Sequence, residues 1–441
     1  MASNPLADIF RIKDLRDRIL FTIGVLLIHR LGSHLPIPGI NVSALQAYFD
    51  AQTASGGMSI TDYLDFFSGG AFSRFSVFML GVMPYITMTI IMQLMLLVFP
   101  KLKKISQEEG GRKRIQRYNR YGTVVLCIIQ GLAVVAYADS IPVPNIITVS
   151  RTLYTFVSLL SVTTGTIFLM WLGEQINQRG IGNGISLIIF TGIVARIPRA
   201  IWSLLQAVQR GLNPVFVIIV IGMFVGVIML VIYEQRGQRK IPVHYAKRVV
   251  GRKMYGAQNT YVPFKINPSG VIPVIFASSI MVFPLQIAQS LGPNIRWLNS
   301  FAVWLRPGGA PYLIIYTLLI IFFAYFYTQV TLNPVEISKN IRENGGSIPG
   351  IRSEKMEEYF DRILKRIILP GSLFLALIAV IPTILNYLLN FPSDVSRLMG
   401  GTSLLIMVGV DLDLMSQIEG SLRMHHHDGL TKKGRIRSRN L

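Results

Sequence analysis

The 441-residue chain is poor in charged residues and almost without cysteine. Only 15% of its residues are charged, whereas soluble domains carry about 25%. The charged residues gather in a few segments between long apolar runs, which excludes an ordinary soluble domain. The single cysteine, Cys127, lies inside an apolar run, so a disulfide framework is excluded and we assign this residue to packing.

The sequence also lacks the marks of an enzyme or a metal protein. It contains no Gly-x-x-x-x-Gly-Lys-Ser/Thr phosphate loop, so any energy for its function must come from a partner. We predict a protein that is not an enzyme and has no cofactor and no catalytic residue. Three adjacent histidines, His425–His427, carry metal-ligating groups, but consecutive residues rarely form a closed site. We therefore predict no metal site and interpret this run as a polar tail.

Long apolar runs are what the chain has in abundance. A helix of about 20 apolar residues crosses the roughly 30 Å of hydrocarbon in a bilayer. Ten segments approach or reach this length, near residues 18–35, 75–99, 121–138, 152–173, 184–204, 214–233, 268–291, 311–330, 367–389 and 401–416. The first run has no small-residue cleavage site after it, which indicates a retained helix. The sequence predicts an all-α, polytopic membrane protein.

The distribution of basic residues predicts the orientation of these helices. If the N-terminus is cytoplasmic, 34 of the 43 Lys and Arg residues fall in cytoplasmic segments. Because ten spans are an even number, both termini then lie in the cytoplasm. The loop between spans six and seven holds eight of these residues. A solvated topology signal would explain a few of them, and RNA phosphate is a natural counterpart for the rest.

A short stretch between the first two spans interrupts this simple pattern. Residues 62–73 read Asp-Tyr-Leu-Asp-Phe-Phe-Ser-Gly-Gly-Ala-Phe-Ser, with aromatic residues unsuited to water and a break at Gly69–Gly70. A half-helix folded back into the protein satisfies both constraints, because irregular backbone at membrane depth must be surrounded by protein or a cavity. Helix breakers also lie inside the predicted spans, where we expect bending or separation: Gly81, Pro84, Pro273 and Pro382.

The predicted spans contain mild polar groups and aliphatic residues in place of buried charge. The polar groups can bond between neighbouring helices or line an interface between helices that part; they are Thr87, Gln93, Asn183, Ser278 and Ser279. Aliphatic residues beside the helix breakers fit ordinary core packing or a constriction that blocks ions without charge; they are Val82, Ile86, Ile189, Ile275 and Ile406. Composition alone leaves both alternatives open.

Several blocks of the sequence are distinctive, among them Gly81-Val-Met-Pro-Tyr-Ile-Thr, Phe168-Leu-Met-Trp-Leu-Gly-Glu-Gln-Ile, Arg179-Gly-Ile-Gly-Asn-Gly-Ile-Ser, Gly270-Val-Ile-Pro-Val-Ile-Phe-Ala-Ser-Ser and Ile348-Pro-Gly-Ile-Arg. Together they resemble the SecY/Sec61-alpha family of protein-conducting channels. The blocks keep the family's order and run from residue 18 to about 416. The resemblance implies two pseudo-symmetric halves of five helices, residues 1–204 and 205–416, and a basic cytoplasmic tail at residues 417–441.

By this resemblance, the chain is expected to form a channel in the bacterial plasma membrane. Unfolded secretory polypeptides would pass through it, and transmembrane segments would leave through a lateral gate. The aliphatic positions would form the pore ring: Val82, Ile86, Ile189, Ile275 and Ile406. A re-entrant plug, about residues 60–74, would seat beneath the ring, with Leu64, Phe67, Ser68, Gly69, Gly70 and Phe72. The polar candidates for the gate are Thr87, Gln93, Asn183, Ser278 and Ser279.

The resemblance also implies partners. The loops after spans six and eight would dock the motor ATPase SecA, or the ribosome through contacts with its RNA, and that partner would supply the energy. The expected docking residues are Arg236, Arg239, Lys240, Arg252, Lys253 and Arg352. SecE-like and SecG-like small membrane subunits, signal sequences, nascent chains and membrane lipids complete the expected set.

The residues alone leave two other classes of function open. A secondary transporter with inverted repeats needs a midplane site of charged groups or discontinuous helices, and the scarcity of buried charge counts against it. A membrane scaffold without a pore would show no ion conductance after the plug is deleted. A conductance measurement therefore separates the channel from both alternatives.

Overall fold

A computed structural model gives the fold of the chain. It describes residues 12–54, 65, 68–144, 146–209, 214–245, 248–250, 253–255, 259–291, 296–306, 308–389 and 401–433. This part of the chain is predominantly helical, and each of the ten predicted apolar segments overlaps a helix. The prediction of an all-α polytopic membrane protein is confirmed, with two small sheets added to it, one of three strands and one of two.

The chain divides into two compact units. The first comprises Met1–Trp202, Val282–Val303 and Ile406–Leu441, and the second comprises Ser203–Met281 and Trp304–Leu405. The two pseudo-symmetric halves, residues 1–204 and 205–416, stay a prediction.

The first unit is built mainly from the helices at the start of the chain. These are α1 (Lys13–Gly32), α2 (Val42–Ala54), α3 (Met83–Val98), α4 (Pro100–Gln107), α5 (Gly111–Ser140), α6 (Arg151–Arg179) and α7 (Gly184–Val194), followed by the start of α8 (Ile197–Gln209). Helix α5 packs against α3 and α6, while α1 packs against α6 and α7. The part of α15 (Gly401–Lys433) from Ile406 onward also belongs to this unit.

The second unit holds both sheets and the helices around them. Its elements are α9 (Pro214–Arg236), β1 (Gln238–Tyr245), β2 (Arg248–Val250), β3 (Lys253–Tyr255), β4 (Asn259–Lys265), the start of α10 (Ile272–Leu291), α12 (Ala310–Thr331), α13 (Pro334–Glu343), β5 (Gly346–Ser347) and α14 (Met356–Leu389). Helix α11 (Arg296–Trp304) lies almost entirely in the first unit. Helix α14 packs against α9, α12 and α13.

Three helix breakers do not lie where the sequence interpretation placed them. Helix α3 begins at Met83, so Gly81, whose φ is +56°, precedes it and Pro84 occupies its first turn. Pro273 likewise lies in the first turn of α10. Proline is favoured in a first turn, where its missing N–H has no helical partner to lose. The prediction that these residues interrupt spans was wrong, whereas Pro382 does lie inside α14.

Strands β4, β1 and β5 form a three-stranded antiparallel sheet in the second unit. Strand β1 shows the alternation of a half-buried strand, because Ile241 and Val243 are buried while their neighbours are exposed. These two side chains join a core with Phe264 of β4 and with Met356 and Phe360 of α14. The two loops after predicted spans six and eight therefore form one packed body.

The described residues include six helices that are long and apolar enough to cross a membrane. A seventh crossing results if Met83–Val98 and Pro100–Gln107, which are bent by 104° relative to each other, count as one. The three remaining predicted spans coincide with α1, with the short apolar helix Ile272–Val282 of α10, and with α15.

Candidate functional site

The five predicted pore-ring residues are all buried, at 6% exposure or less. In the first unit, Val82 lies immediately before α3, Ile86 lies on its first turn and Ile189 lies on α7. Ile406 lies on α15 in the same unit, and Ile275 lies on the part of α10 that belongs to the second unit. Their assembly into one ring stays a prediction.

The predicted plug contains a compact turn organised by one buried carboxylate. Oδ1 of Asp65 accepts the backbone N–H of Ser73 at 2.9 Å, and its carbonyl oxygen accepts that of Gly70 at 3.1 Å. The hydroxyl of Ser68 accepts the N–H of Phe72 at 2.9 Å. Gly69 and Gly70 adopt positive φ values of +65° and +91°, which residues with a Cβ rarely tolerate. Leu64 and Phe67 lie outside the described residues.

Two arginines from different parts of the first unit bind this turn. Nη2 of Arg196, between α7 and α8, lies 2.9 Å from Oδ2 of Asp65 and also donates to the Asp65 carbonyl oxygen. Nη1 of Arg30, near the end of α1, donates to the Gly69 carbonyl oxygen at 2.7 Å. The Arg196 and Asp65 side chains are only 18% and 12% exposed, so water screens their ion pair weakly.

The backbone of the predicted plug lies directly against α7 at Gly69. A Cβ at Gly69 would lie 2.7 Å from Cα of Gly192, and a Cβ at Gly192 would lie 2.8 Å from Cα of Gly69. Real Cβ atoms essentially never approach a heavy atom so closely. Since Gly192 lies one helical turn beyond Ile189, the plug touches the same helix that carries a predicted ring residue.

Phe72, also predicted to belong to the plug, attaches the turn to the core of the first unit. Its ring centroid lies 5.7 Å from that of Tyr137 on α5 and 6.1 Å from that of Phe75. All three rings are buried in a cluster that also contains Leu45 of α2. The peptide groups of Ile37 and Phe75 are hydrogen-bonded at 2.8 Å, which fixes the chain just after the turn. The plug is thus anchored at its C-terminal end.

The predicted gate residues fall into two local roles. The exposed Asn183 caps α7, because its Oδ1 accepts the N–H groups of Ile185 and Ser186. Ser278 and Ser279 are buried, and both hydroxyls donate to the Ile275 carbonyl oxygen at 2.8 and 2.7 Å.

The remaining two gate candidates lie on α3. Thr87 is half-buried, and Oε1 of Gln93 is buried without a hydrogen-bond partner among the described residues. Such a group costs free energy unless another polar group reaches it. The gate assignment of all five residues stays a prediction.

The predicted docking residues lie in the second unit. Arg236 ends α9, Arg239 and Lys240 are exposed on β1, and Nζ of Lys240 lies 4.7 Å from the ring centre of Tyr261. Lys253 begins β3, and Arg252 lies outside the described residues. Arg352 is exposed in the loop after β5, two residues beyond Gly350, whose φ is +77°.

The sequence interpretation gave no role to Asp65, Arg196, Arg30 or Gly192. An acid among aromatic residues and an arginine in an apolar segment each require a partner, because isolated buried charges are costly. The need for a partner could have marked these residues as a candidate ion pair. However, 131 residues separate Asp65 from Arg196, and many pairings were possible. No group of three metal-ligating side chains occurs among the described residues.

Comparisons with known proteins agree with this architecture. The family model described as SecY matches residues 76–415. The chain is 48% identical over 418 residues to the protein translocase subunit SecY of Borreliella burgdorferi, covering 94% of each chain. It is 40% identical over 447 residues to the protein of the same name from Escherichia coli K12, covering 99% of each.

Solved structures share the fold at lower sequence identity. A structure described as a protein conducting channel covers 91% of both chains with a TM-score of 0.66 and 20% identity. Sec61 in a canine ribosome-channel complex matches with a TM-score of 0.62 and 19% identity. The fold therefore defines a multi-pass helical membrane protein with the architecture of a protein-conducting channel. The chain belongs to the SecY family.

Proposed function

We infer that this chain is the central subunit of a bacterial protein translocase, a channel that passes unfolded secretory polypeptides across the plasma membrane. The observation that carries this inference is the 48% identity to a translocase subunit over 94% of both chains. The glycine-containing turn that lies against α7, beside Ile189, supports it independently.

The proposed mechanism rests on an aliphatic constriction. Val82, Ile86 and Ile189 of the first unit are buried and apolar, and with Ile275 and Ile406 they supply a ring that dewets when empty. Such a ring resists ion flow without a fixed charge. It also accepts any unfolded chain, because aliphatic contacts are non-directional and discriminate little between side chains.

The polar groups of α3 and α10 support a role in lateral release. Gln93 carries a buried oxygen without a hydrogen-bond partner among the described residues, and the hydroxyls of Ser278 and Ser279 donate to the Ile275 carbonyl oxygen on their own helix. An interface with mild polarity separates at lower cost than one with buried ion pairs, because fewer strong bonds are broken. We assign hydrophobic segments of the substrate to this exit, toward the lipid.

The basic second-unit sheet supplies the proposed docking surface. Arg239, Lys240 and Arg352 are exposed there, where a ribosome, through its RNA, or the motor ATPase SecA would bind. A related Sec61 protein has been described in a ribosome-channel complex. We propose that the partner supplies the energy, that small SecE-like and SecG-like subunits complete the assembly, and that the chain itself is not an enzyme.

The distribution of Lys and Arg supports placing both termini in the bacterial cytoplasm, with 34 of 43 basic residues on that side.

The function is tested by ion conductance of the purified complex in planar bilayers. Deletion of residues 60–70, which spares the Phe72 anchor, should open a resting conductance that the intact chain lacks. A deletion variant that stays sealed, yet is correctly folded and inserted, would contradict a channel and favour a scaffold or transporter.

A further inference from the structure

The turn that contains Asp65 is bound to the first unit by three contacts of different kinds. Arg196 forms an ion pair with the Asp65 side chain, with 2.9 Å between Nη2 and Oδ2. Arg30 donates to the carbonyl oxygen of Gly69 at 2.7 Å. Gly192 provides the flat backbone surface on which Gly69 lies. The contacts come from α1, from α7 and from the junction that follows α7, so they surround the turn.

Asp65 connects the internal structure of the turn with its attachment. Its Oδ1 accepts the N–H of Ser73 and its carbonyl oxygen accepts the N–H of Gly70, while Oδ2 is left for Arg196. The same residue therefore folds the turn and binds it. A change at Asp65 that preserves Oδ1 removes the ion pair with Arg196 without unfolding the turn.

The arginines around the turn repel one another. The positive charges of Arg74 and Arg196 are close enough to disfavour the charged form of Arg30. The negative charge of Asp65 favours it. Nη1 of Arg74 also lies 2.8 Å from Nε2 of His34. Withdrawal of the Asp65 carboxylate leaves these like charges without a compensating anion, so the arginine cluster loosens as the turn departs.

We propose that Asp65, Arg196 and Arg30 form a latch that holds the plug in its seat, with the two arginines acting as positioning residues for channel closure. The proposal rests on the proposed function, because a latch has meaning only for a channel that a plug closes. It extends that function by naming the contacts that a translocating chain must break before the plug moves.

The latch should release over a short movement of the turn. The ion pair and the Gly69 hydrogen bond are short-range contacts, and both are lost once the turn moves by a few ångströms. Return of the turn then requires the mutually repelling arginines to gather again around the Asp65 carboxylate. The plug is therefore expected to occupy either the seated or the released position.

The test is a double-mutant cycle on the intact complex in planar bilayers. Asp65→Asn keeps an Oδ1 acceptor for Ser73, and Arg196→Gln keeps a polar side chain of moderate length. Each single variant should raise the resting open probability about tenfold, which corresponds to about 1.4 kcal/mol of lost closed-state stability. If the pair is the latch, the double variant should open about as often as either single one. Arg196→Lys should give an intermediate value, because it keeps the positive charge but replaces the planar guanidinium by a single ammonium nitrogen on a differently shaped side chain.

The control is a second ion pair in the same unit. Nη2 of Arg151 lies 2.8 Å from Oδ2 of Asp139, between the end of α5 and the start of α6, and the Arg151 side chain is 79% exposed. Asp139→Asn and Arg151→Gln should leave the resting conductance unchanged. Thermal unfolding of each variant separates loss of the latch from loss of the fold, because latch variants should open while keeping nearly the wild-type melting temperature.

Two results overturn the latch. One is a resting conductance that stays at the wild-type level in Asp65→Asn and Arg196→Gln, and the other is a pair of effects that multiply in the double variant. The deletion of residues 60–70 shows which inference has failed. If the deletion conducts while the point variants stay sealed, the channel stands and the latch is wrong. If the deletion is also sealed, the proposed function is wrong.

Discussion

Gly69 and Gly192 meet backbone to backbone, so close that a Cβ on Gly192 would lie 2.8 Å from Cα of Gly69. The first residue belongs to the predicted plug and the second to α7, which also carries Ile189. Neither position has room for a side chain while the turn is seated. A larger residue at position 192 would therefore displace the predicted plug.

Gly192→Ala should raise the resting ion conductance of the purified complex. Alanine favours a helix over glycine by about 1 kcal/mol, so helix stability opposes the expected effect and cannot cause it. The added methyl group instead displaces Gly69. The control is Gly24→Ala on α1, where a Cβ meets no atom within 4 Å. Equal conductance of the two variants in planar bilayers would show that the contact does not control the seal.

The predicted pore ring is distinguishable from an ordinary core by comparing matched truncations. Ile86→Ala and Ile189→Ala remove buried side chains from α3 and α7, and Ile320→Ala does the same on α12. All three should lower the free energy of unfolding, each by about 2–5 kcal/mol. Only the first two should also raise ion conductance. A leak of similar size from Ile320→Ala would remove the reason for assigning Ile86 and Ile189 to the ring.

The apolar helices and the local break at Gly69–Gly70 could be predicted from the sequence. Runs of about 20 apolar residues have few stable alternatives to a membrane helix, and all ten predicted segments overlap helices. The break at Gly69–Gly70 was also readable, and positive φ values occur there. The role of Pro84 was predicted wrongly, because a proline in an apolar run can either kink a helix or lie in its first turn. The two cases differ only in where the helix begins, and this helix begins at Met83.

Long-range pairing was not readable from one sequence. Nothing local to Asp65 indicates that Arg196, and not one of the other 42 basic residues, faces it. The sheet in the second unit was missed for a different reason. The charge of its strands suggested a solvated loop, although Ile241 and Val243 already show the period of two that marks a half-buried strand.

The pairing of β1 with β5 joins the two basic loops, and Gly346→Val should separate them. Gly346 pairs with Tyr245, and a Cβ there would lie 3.0 Å from Cε1 of Tyr245 and 2.8 Å from Cγ2 of Ile341. Partner-driven translocation into vesicles should fall, because the docking loops no longer move as one body. Ser347→Val is the control, since it adds the same strand-favouring residue at an exposed position. Equal translocation by both variants would argue against mechanical coupling of the loops.

The ion pair between Arg120 and Glu174 should contribute to stability and not to closure. Nε and Nη2 of Arg120 lie 3.0 and 2.6 Å from the two Glu174 carboxylate oxygens, and Glu174 is only 11% exposed. Arg120→Met leaves that carboxylate poorly compensated and should lower the free energy of unfolding by about 1–2 kcal/mol. Arg120 is itself half exposed, which keeps the expected loss below that of a fully buried pair.

The exposed pair of Arg114 and Glu108, 3.5 Å apart, provides the comparison for this stability effect. Arg114→Met should change the free energy of unfolding by less than about 1 kcal/mol, because water screens that pair. Denaturant or thermal unfolding in detergent measures both variants. If Arg114→Met lowered the free energy of unfolding more than Arg120→Met, the pair of Arg120 and Glu174 would not be the stabilising one.

The central claim is that a polypeptide crosses the membrane past Ile86 and Ile189. Site-specific photocrosslinking of a stalled translocation intermediate tests it most directly, with the crosslinker placed at either residue or at Ile218, which is 70% exposed on α9. The account predicts strong adducts with the translocating chain from positions 86 and 189 and none with its hydrophilic part from position 218. Adducts from position 218 alone, or from none of the three, would contradict it.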